Sequence, residues 1–180
     1  PVVLLWHMHQ PQYRDALTGQ YVLPWTYLHA IKDYTDMAAH LEENPAARAV
    51  VNFTPVLLDQ LDELSGRVAQ HLSQGTVLPD PVLGLLGPDP VPSEPAARLA
   101  LLEACLRAHR KNLIERFAPF LELVTFAQRC ASPERIGWAS DALLHDLAVW
   151  YHLAWMGETV RRTEPRVAAL SAQASGFTPA

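Results

Sequence analysis

The sequence predicts an α/β fold that opens with two parallel strands and continues as a largely helical region. Strand and helix patterns alternate over residues 1–74, and helical spacing of apolar residues dominates residues 96–180. Such alternation is typical of parallel strands joined by right-handed helical crossovers. Because two strands cannot form an independent parallel sheet with both faces covered, we expect the pair to begin a larger sheet, with the helical region as an insertion or cap.

The first β/α unit starts with a strand predicted over Val2–Met8. It is apolar on both faces until its end, which is typical of a parallel strand that is covered on both sides. Pro11 lacks a backbone donor and stops the strand. After a polar loop, a helix is predicted over Pro24–Glu43, because apolar residues recur at helical spacing and Asn44-Pro45 follows.

The second β/α unit repeats this order. Ala49–Phe53 (AVVNF) reads as a short strand, and a helix follows that reaches Leu64 or beyond. Thr54 is expected to cap that helix and Pro55 to occupy its first position. The acidic residues on the two helices are interpreted as solvated helix faces; they are Asp33, Asp36, Glu42, Glu43, Asp59, Asp62 and Glu63.

Proline and glycine are concentrated in residues 75–95, which predicts a linker or a pinned loop between the two β/α units and the helical region. The helical pattern resumes at Ala96 and continues to about Ala131, and Pro119 is expected to kink or break it.

Two further helices complete the helical region. Ser140-Asp141 is expected to cap a strongly apolar helix that ends near Gly157. A weaker helical pattern covers Glu164–Ala174. No internal repeat is visible, so a repeat architecture is excluded.

Composition excludes several classes of function. The 180 residues carry 14 Lys plus Arg against 19 Asp plus Glu, a net charge of −5. This balance lacks the excess positive charge that binds the phosphates of nucleic acid. The longest apolar runs are too short to span a bilayer. Cys105 and Cys130 are the only cysteines and lie far apart, so they are interpreted as thiols in a reducing, cytoplasmic compartment.

The candidate site is the end of the first strand, where the segment VVLLWHMHQPQY turns from apolar to polar. Side chains alternate along a strand, so His7 and His9 share one face and Met8 points away. Ligands of α/β folds gather at the carboxyl ends of parallel strands, which is where these histidines lie. The alternative is a pair of histidines that are hydrogen-bonded inside a core.

Three kinds of chemistry suit this strand end. Two imidazoles on one face could share a divalent metal, although further ligands would have to come from later strands. Nucleophilic catalysis would need a serine or cysteine on an elbow, and no G-x-S-x-G occurs. In sugar recognition, imidazoles and amides bond ring hydroxyls while aromatic rings cover the apolar sugar face.

Three blocks in order decide between these readings: HMHQPQYRDALTGQYVLPWTYLHAIKDYTDM, VVNFTPVLLDQLDEL and HDLAVWYHLAWMG. Together they resemble glycoside hydrolase family 57, whose hallmark is His-Gln-Pro at the end of the first barrel strand. The resemblance implies an incomplete (β/α)7 barrel followed by a helical region. It also implies a retaining enzyme that acts on α-glucans, such as an amylase, glucanotransferase or branching enzyme, with no metal or organic cofactor.

The resemblance assigns expected roles to residues of this chain. His9, Gln10 and Pro11 match the hallmark tripeptide; His9 would contact the sugar at the cleavage point and Gln10 would support the strand end. His7 stands at a position that is often His, so it would have a secondary polar role. Trp25 could line the sugar pocket, or it could pack against the barrel rim.

The catalytic carboxylates are not expected in this chain. In the family the nucleophile is a Glu on a later strand and the acid/base is an Asp further on, and nothing after Trp155 resembles those regions. Retention needs two carboxyl groups about 5–5.5 Å apart across the sugar. We therefore expect these residues to be the N-terminal portion of the enzyme, inactive alone, with an apolar sheet edge that favours self-association.

Trp150 and Trp155 are weaker candidates for substrate binding. They lie on the apolar helix that follows Ser140-Asp141, where core packing is one reading and a glucan platform over the barrel mouth is the other.

Two alternatives to the glucan enzyme stay open: a metal-dependent hydrolase that uses His7 and His9, and a non-catalytic helical interaction module.

Overall fold

The computed structural model describes residues 2–88 and 91–178 and divides them into two compact units. The first unit comprises Met156–Thr163 and the described residues up to Asp80. The second comprises Pro81–Trp155, apart from residues 89 and 90, and the described residues from Glu164 onward. Asp89 and Pro90, which fall inside the predicted linker, lie outside the described residues.

The first unit contains a two-stranded parallel sheet. Strand β1 (Leu4–Met8) pairs with β2 (Ala49–Phe53) in a register that places Leu4 opposite Ala49 and Met8 opposite Phe53. The predicted bounds of β2 are confirmed, whereas β1 begins two residues later than predicted. Beyond the ladder, the Thr54 amide donates to the Met8 carbonyl over 3.1 Å, which holds the two carboxyl ends together.

The sheet leaves large apolar side chains in solvent. The large apolar side chains that are exposed on the two strands are Leu4, Leu5, Val50 and Phe53. Only Met8, at the carboxyl end of β1, is buried among the residues of either strand. The expected burial of both sheet faces is therefore not met within this chain, and the expected apolar exposure is present.

The helix predicted over residues 24–43 is divided by a wider turn. Helix α1 spans Trp25–His29, a π-helical turn spans Ala30–Tyr34, and α2 spans Thr35–Glu43. The Thr35 hydroxyl donates to the Ala30 carbonyl over 2.7 Å, five residues back, and so satisfies a carbonyl within the widened turn. Turns of this kind are frequent at functional sites.

Helix α3 spans Pro55–Gln74 and begins at Pro55 as predicted. Gly75 closes it with a φ of 69° and an amide that donates to the His71 carbonyl over 2.8 Å, which is the usual left-handed C-terminus. The predicted cap by the Thr54 side chain is wrong. Thr54 has the extended backbone of a cap, but its Oγ1 is buried and has no hydrogen-bond partner in the described part of the chain.

Helix α8 (Glu158–Thr163) belongs to the first unit and is held there by Asp36 of α2. The two Asp36 carboxylate oxygens accept from the backbone amides of Glu158 at 2.8 Å and Thr159 at 3.0 Å. Burial raises the pKa of Asp36, but the hydrogen bonds from Thr159 and Glu158 outweigh it and leave that pKa below its usual value. The expected solvated role of Asp36 is therefore wrong.

The second unit is built around helix α7 (Asp141–Trp155), which packs against α5 (Pro95–Leu106), α6 (Ala118–Cys130) and α9 (Pro165–Gln173). Ser140 Oγ accepts from the Leu143 amide over 3.1 Å, which confirms the predicted N-terminus of α7. Side chains with almost no exposure fill this core: Leu102, Phe120, Ile136, Leu144, Leu147 and Trp150.

Two details of the second unit differ from the sequence prediction. The helical pattern breaks at residues 107–117, where a π-helical turn spans Arg110–Ile114, and Pro119 lies in the first turn of α6 rather than at a kink. The proline-rich segment contains a short helix, α4 (Pro81–Gly84), and buries Val82 and Leu85. A 3₁₀ turn spans Ile136–Trp138.

In the described ranges no helix combines the length and apolarity that crossing a membrane requires.

Gly157 is the position where an added methyl group would do most harm. A Cβ there would lie 2.8 Å from Asp36 Oδ1 and 3.2 Å from the Lys32 carbonyl. We expect Gly157→Ala to lower the free energy of unfolding by about 1–3 kcal/mol, because the cap of α8 must move. The control is Gly66→Ala within α3, which meets no atom within 4 Å and should stabilise by up to about 1 kcal/mol. Urea unfolding measures the free energy of unfolding of both variants. Equal changes in the two variants would contradict the close contact of Gly157 with Asp36.

His152 on α7 makes the stability of the second unit depend on pH. Burial lowers its pKa to about 4, although the hydrogen bond between Nδ1 and the Ala148 carbonyl acts in the opposite direction. The unfolded chain binds this proton below about pH 6.5 and the folded chain only near pH 4, so stability falls as pH drops through that window, by about 3 kcal/mol in all.

We expect His152→Gln to flatten the pH dependence of unfolding between about pH 6.5 and 4, relative to wild type. His40→Gln, at an exposed position of α2, is the control and should leave the wild-type slope unchanged. Guanidinium unfolding at several pH values measures the slopes. A slope in His152→Gln equal to that of wild type would contradict this role for the buried ring.

Candidate functional site

The carboxyl end of β1 carries two histidines, His7 within the strand and His9 directly after it. His7 and His9 lie on one face, as predicted, with their rings stacked at a centroid distance of 5.8 Å and an interplanar angle of 22°. Both side chains are exposed, so neither histidine is sealed in a core within the described part of the chain. The two imidazoles therefore present their edges to solvent at the tip of the sheet.

Asn52 of β2 fixes the orientation of His7. The two residues are register partners, and His7 Nδ1 lies 2.7 Å from Asn52 Oδ1. An amide oxygen only accepts, so His7 Nδ1 is the donor in this bond, which in the neutral ring leaves Nε2 as the acceptor. His7 is thus prepared to accept a hydrogen bond at Nε2. Sequence reasoning missed Asn52, although aligning the two strands at their carboxyl ends would have placed it beside His7.

Gln10 is held between two tyrosine hydroxyls. Tyr13 Oη donates to Gln10 Oε1 over 3.0 Å, and Gln10 Nε2 donates to Tyr34 Oη over 3.3 Å. Burial raises the pKa of Tyr13, and the neighbouring Tyr34 raises it further. The amide of Gln10 is therefore engaged at both ends within the protein.

Gln60 of α3 pins the loop that follows β1. Its side chain is only 2% exposed; Oε1 accepts from the Tyr13 amide at 3.0 Å and from Thr26 Oγ1 at 3.3 Å. Its Nε2 donates to the Pro11 carbonyl at 2.9 Å and to the Val56 carbonyl at 3.1 Å. One buried amide thus joins the loop, α1 and α3. Sequence reasoning missed it because no local pattern marks a glutamine that bonds 49 residues away.

Trp25 begins α1, and a row of rings connects it to Tyr34. The Trp25 and His29 rings lie 6.5 Å apart, and the His29 and Tyr34 rings 6.4 Å apart. Trp25 is half-buried. Gln10 and Trp25, two of the predicted site residues, are therefore linked through His29 and Tyr34, which were not predicted.

Asp33 secures the middle of this row. His29 Nδ1 bonds one Asp33 oxygen, and Lys32 Nζ bonds the other at 2.7 Å. Burial raises the pKa of Asp33, but the hydrogen bonds from Lys32 and His29 outweigh it, so that pKa is lowered overall. The expectation that Asp33 lies on a purely solvated helix face is wrong.

An open polar groove of about 580 Å³ adjoins the loop after β1; its lining residues include Gln12, Asp59 and Arg67. Glu63 lines it too and bonds Arg14 at 2.7 Å, Arg67 at 3.3 Å and the Tyr21 hydroxyl at 3.3 Å. Burial, followed by the charge of Glu63, raises the pKa of Tyr21 to about 12. Glu63 is thus committed to ion pairs that brace the loop.

Trp150 and Trp155 are core residues in this structure. Trp150 is 2% exposed, packs on Phe117 with ring centroids 5.8 Å apart, and donates from Nε1 to the Ala174 carbonyl at 2.6 Å. Trp155 is also buried. Neither ring offers the solvent-facing surface that a glucan platform needs, which corrects that reading in favour of core packing.

Metal binding finds no complete ligand set. Among the residues described, no group of three or more His, Cys, Asp or Glu side chains is arranged to hold an ion. The stacked pair of His7 and His9 supplies two nitrogens, and the Nδ1 of His7 is already engaged by Asn52. The metal-dependent alternative therefore has no support beyond the spacing of the two histidines.

Gln60→Leu tests whether the buried amide sets the loop. The Tyr13 amide and the Pro11 carbonyl would lose their partner, so we expect the free energy of unfolding to fall by about 2–4 kcal/mol and the Tyr13 amide to exchange faster. Gln70→Leu, at an exposed position of the same helix, should change stability by no more than about 0.5 kcal/mol. Unchanged protection of Tyr13 in Gln60→Leu, measured by hydrogen exchange, would contradict this role.

Comparison with known proteins gives one match. The family model described as Glycosyl hydrolase family 57 matches residues 3–167, which include both strands and the whole strand-end motif. No curated protein and no solved structure matches the chain significantly. A match of this extent confirms the resemblance found in the three sequence blocks: the chain belongs to glycosyl hydrolase family 57.

Proposed function

We propose that this chain is the N-terminal portion of a retaining α-glucan hydrolase or glucanotransferase, and that its strand end binds the sugar. Membership of a glycosyl hydrolase family gives carbohydrate as the substrate class. The observation that carries the finer proposal is the exposure of His7 and His9 at the carboxyl end of β1, where an α/β fold binds its ligands. Maltooligosaccharide is the simplest substrate of this class.

His9 is the residue proposed to contact the sugar at the cleavage point. Its ring is exposed, and the stacked ring of His7 restricts where it can turn. An imidazole can donate or accept, which suits a sugar hydroxyl. His7, oriented by Asn52, adds an acceptor at Nε2, and Trp25 contributes a ring along the same helical segment as Tyr34. These contacts would orient the sugar rather than break its bond.

Bond cleavage is proposed to need carboxylates beyond residue 180. A Glu would attack the anomeric carbon and form a glycosyl-enzyme while an Asp protonates the departing glycosidic oxygen. The same Asp would then take a proton from water or from an acceptor sugar, whose oxygen displaces the Glu and restores it. The acids that the site does contain support this division, since Asp33 and Glu63 are both committed to ion pairs.

The remaining proposals concern organisation. Residues 1–74 would supply the first two units of an incomplete (β/α)7 barrel, with 75–95 as the connection to a helical region at 96–180.

A cytoplasmic location is supported by two buried cysteines, Cys105 and Cys130, neither of which forms a disulfide. The exposed apolar residues of the sheet would favour self-association of the isolated chain, which sedimentation would detect as a dimer.

His9→Ala in the full-length protein tests the proposed function. We expect the wild type to cleave maltooligosaccharides with retention of anomeric configuration, read by NMR, and kcat/KM to fall about 100-fold in the variant, because a hydrogen bond at the reacting sugar is lost. His40→Ala, an exposed histidine of α2, is the matched control and should keep wild-type activity. The isolated 180 residues should show no cleavage.

Three results would each contradict one part of the proposal. A full-length protein that leaves α-glucans intact would remove the substrate class, and wild-type kcat/KM in His9→Ala would remove the role of the strand end. Cleavage by the isolated 180 residues would instead overturn the placement of the carboxylates.

A further inference from the structure

Within the described residues, the Tyr34 hydroxyl accepts one hydrogen bond and donates none. Tyr34 ends the π-helical turn, is half-buried, and accepts a hydrogen bond from Gln10 Nε2 over 3.3 Å. Because its oxygen is the acceptor in that bond, its own proton must point elsewhere. No acceptor for that proton is found in the parts of the chain that the structure covers.

The direction of the neighbouring bonds fixes this arrangement. Tyr13 Oη donates its proton to Gln10 Oε1 over 3.0 Å, so the amide oxygen already has a donor and the amide nitrogen faces Tyr34. The Tyr13 amide is in turn held by the buried Gln60 at 3.0 Å, so Tyr13 cannot easily turn away. The series Gln60–Tyr13–Gln10–Tyr34 thus ends in one available donor.

The surroundings of this donor suit a neutral polyhydroxylated ligand. The His29 ring lies 6.4 Å from that of Tyr34, and the Trp25 ring 6.5 Å further along. The nearby charge on Asp33 is shared between Lys32 and His29. A donor beside ring faces, with the local charges paired, can bind a sugar hydroxyl while the rings cover the apolar side of the sugar.

We propose that Tyr34 donates a hydrogen bond to a hydroxyl of the bound α-glucan, and that Gln10 is a positioning residue that holds Tyr34 rather than a sugar ligand itself. This inference rests on the proposed function, since it takes the same substrate class. It adds a specificity-determining group on the helical segment that follows β1. The role of the π-helical turn would then be to position Tyr34, its last residue. It also directs the supporting role of Gln10 at Tyr34 rather than at the strand end alone.

Titration calorimetry with maltopentaose on the full-length protein tests the donor. We expect Tyr34→Phe, which removes only the hydroxyl, to weaken binding about 3- to 10-fold, the usual range for one lost hydrogen bond. Tyr21→Phe is the matched control, because its hydroxyl bonds Glu63 outside this series, and it should bind as wild type does. Circular dichroism melting checks that each variant is folded.

A second variant tests the positioning by Gln10. Gln10→Glu replaces the amide donor by a carboxylate oxygen, so Tyr34 would donate its proton inward and lose it for the sugar. We expect the same loss of affinity as in Tyr34→Phe, and no further loss in the double variant. A purely structural role of Gln10 would give additive losses instead.

Deoxy sugars identify the bond directly. Among 2-, 3- and 6-monodeoxy maltosides, one should bind wild type about 3- to 10-fold more weakly than maltoside does and show no such penalty on Tyr34→Phe. Equal penalties on both proteins, or wild-type affinity of Tyr34→Phe while His9→Ala is weakened, would overturn this inference and leave the proposed function standing. A wild type that does not bind maltopentaose would overturn both.

Discussion

The buried amide of Gln60 is the interaction on which the candidate site depends. A polar loop that follows a strand must satisfy its own backbone groups, and the ladder with β2 ends at Phe53, with one further bond from the Thr54 amide to the Met8 carbonyl. Gln60 supplies one acceptor and two donors from within α3, and it reaches both the Pro11 carbonyl and the Tyr13 amide. The loop after β1 is therefore fixed relative to the helix that follows β2. Without those bonds, the segment from Pro11 to Tyr13 would lose the contacts that fix it relative to α3.

Local pattern predicted the elements and missed what joins them. The bounds of β2, the start of α3 at Pro55 and the start of α7 after Ser140 were all readable, because each depends on residues adjacent in sequence. The π-helical turn that divides the first helix could not be predicted in this way, since a single such turn changes the spacing of the apolar residues very little. Asp36 was interpreted as a solvated acid because its partners, the amides of Glu158 and Thr159, are more than 120 residues away.

The same contrast applies to the candidate site. Strand periodicity correctly placed His7 and His9 on one face, and the family resemblance that drew attention to this strand end is confirmed as family membership. Neither strand periodicity nor the resemblance marks Tyr34 or Gln60. A tyrosine or glutamine on an amphipathic helix looks like an ordinary surface residue in the sequence, because its hydrogen-bond partners are distant in the chain. For Trp150, sequence left two readings, and burial against Phe117 decided for the core. Burial cannot be read from a residue type that suits both environments.

The sheet combines a polar, well-bonded tip with an apolar body that this chain leaves uncovered. Leu4, Leu5, Val50 and Phe53 are each about half exposed or more. Full burial of such a side chain contributes about 2 kcal/mol, and roughly half of each is already covered. Covering the rest of the four would therefore add roughly 4 kcal/mol, which is close to the lower end of the stability of a typical domain. A tip with specific hydrogen bonds on a body with so much unburied apolar area supports the proposal that further strands would cover this sheet. That contrast supports assigning sugar binding to the tip and bond cleavage to strands that would complete the barrel.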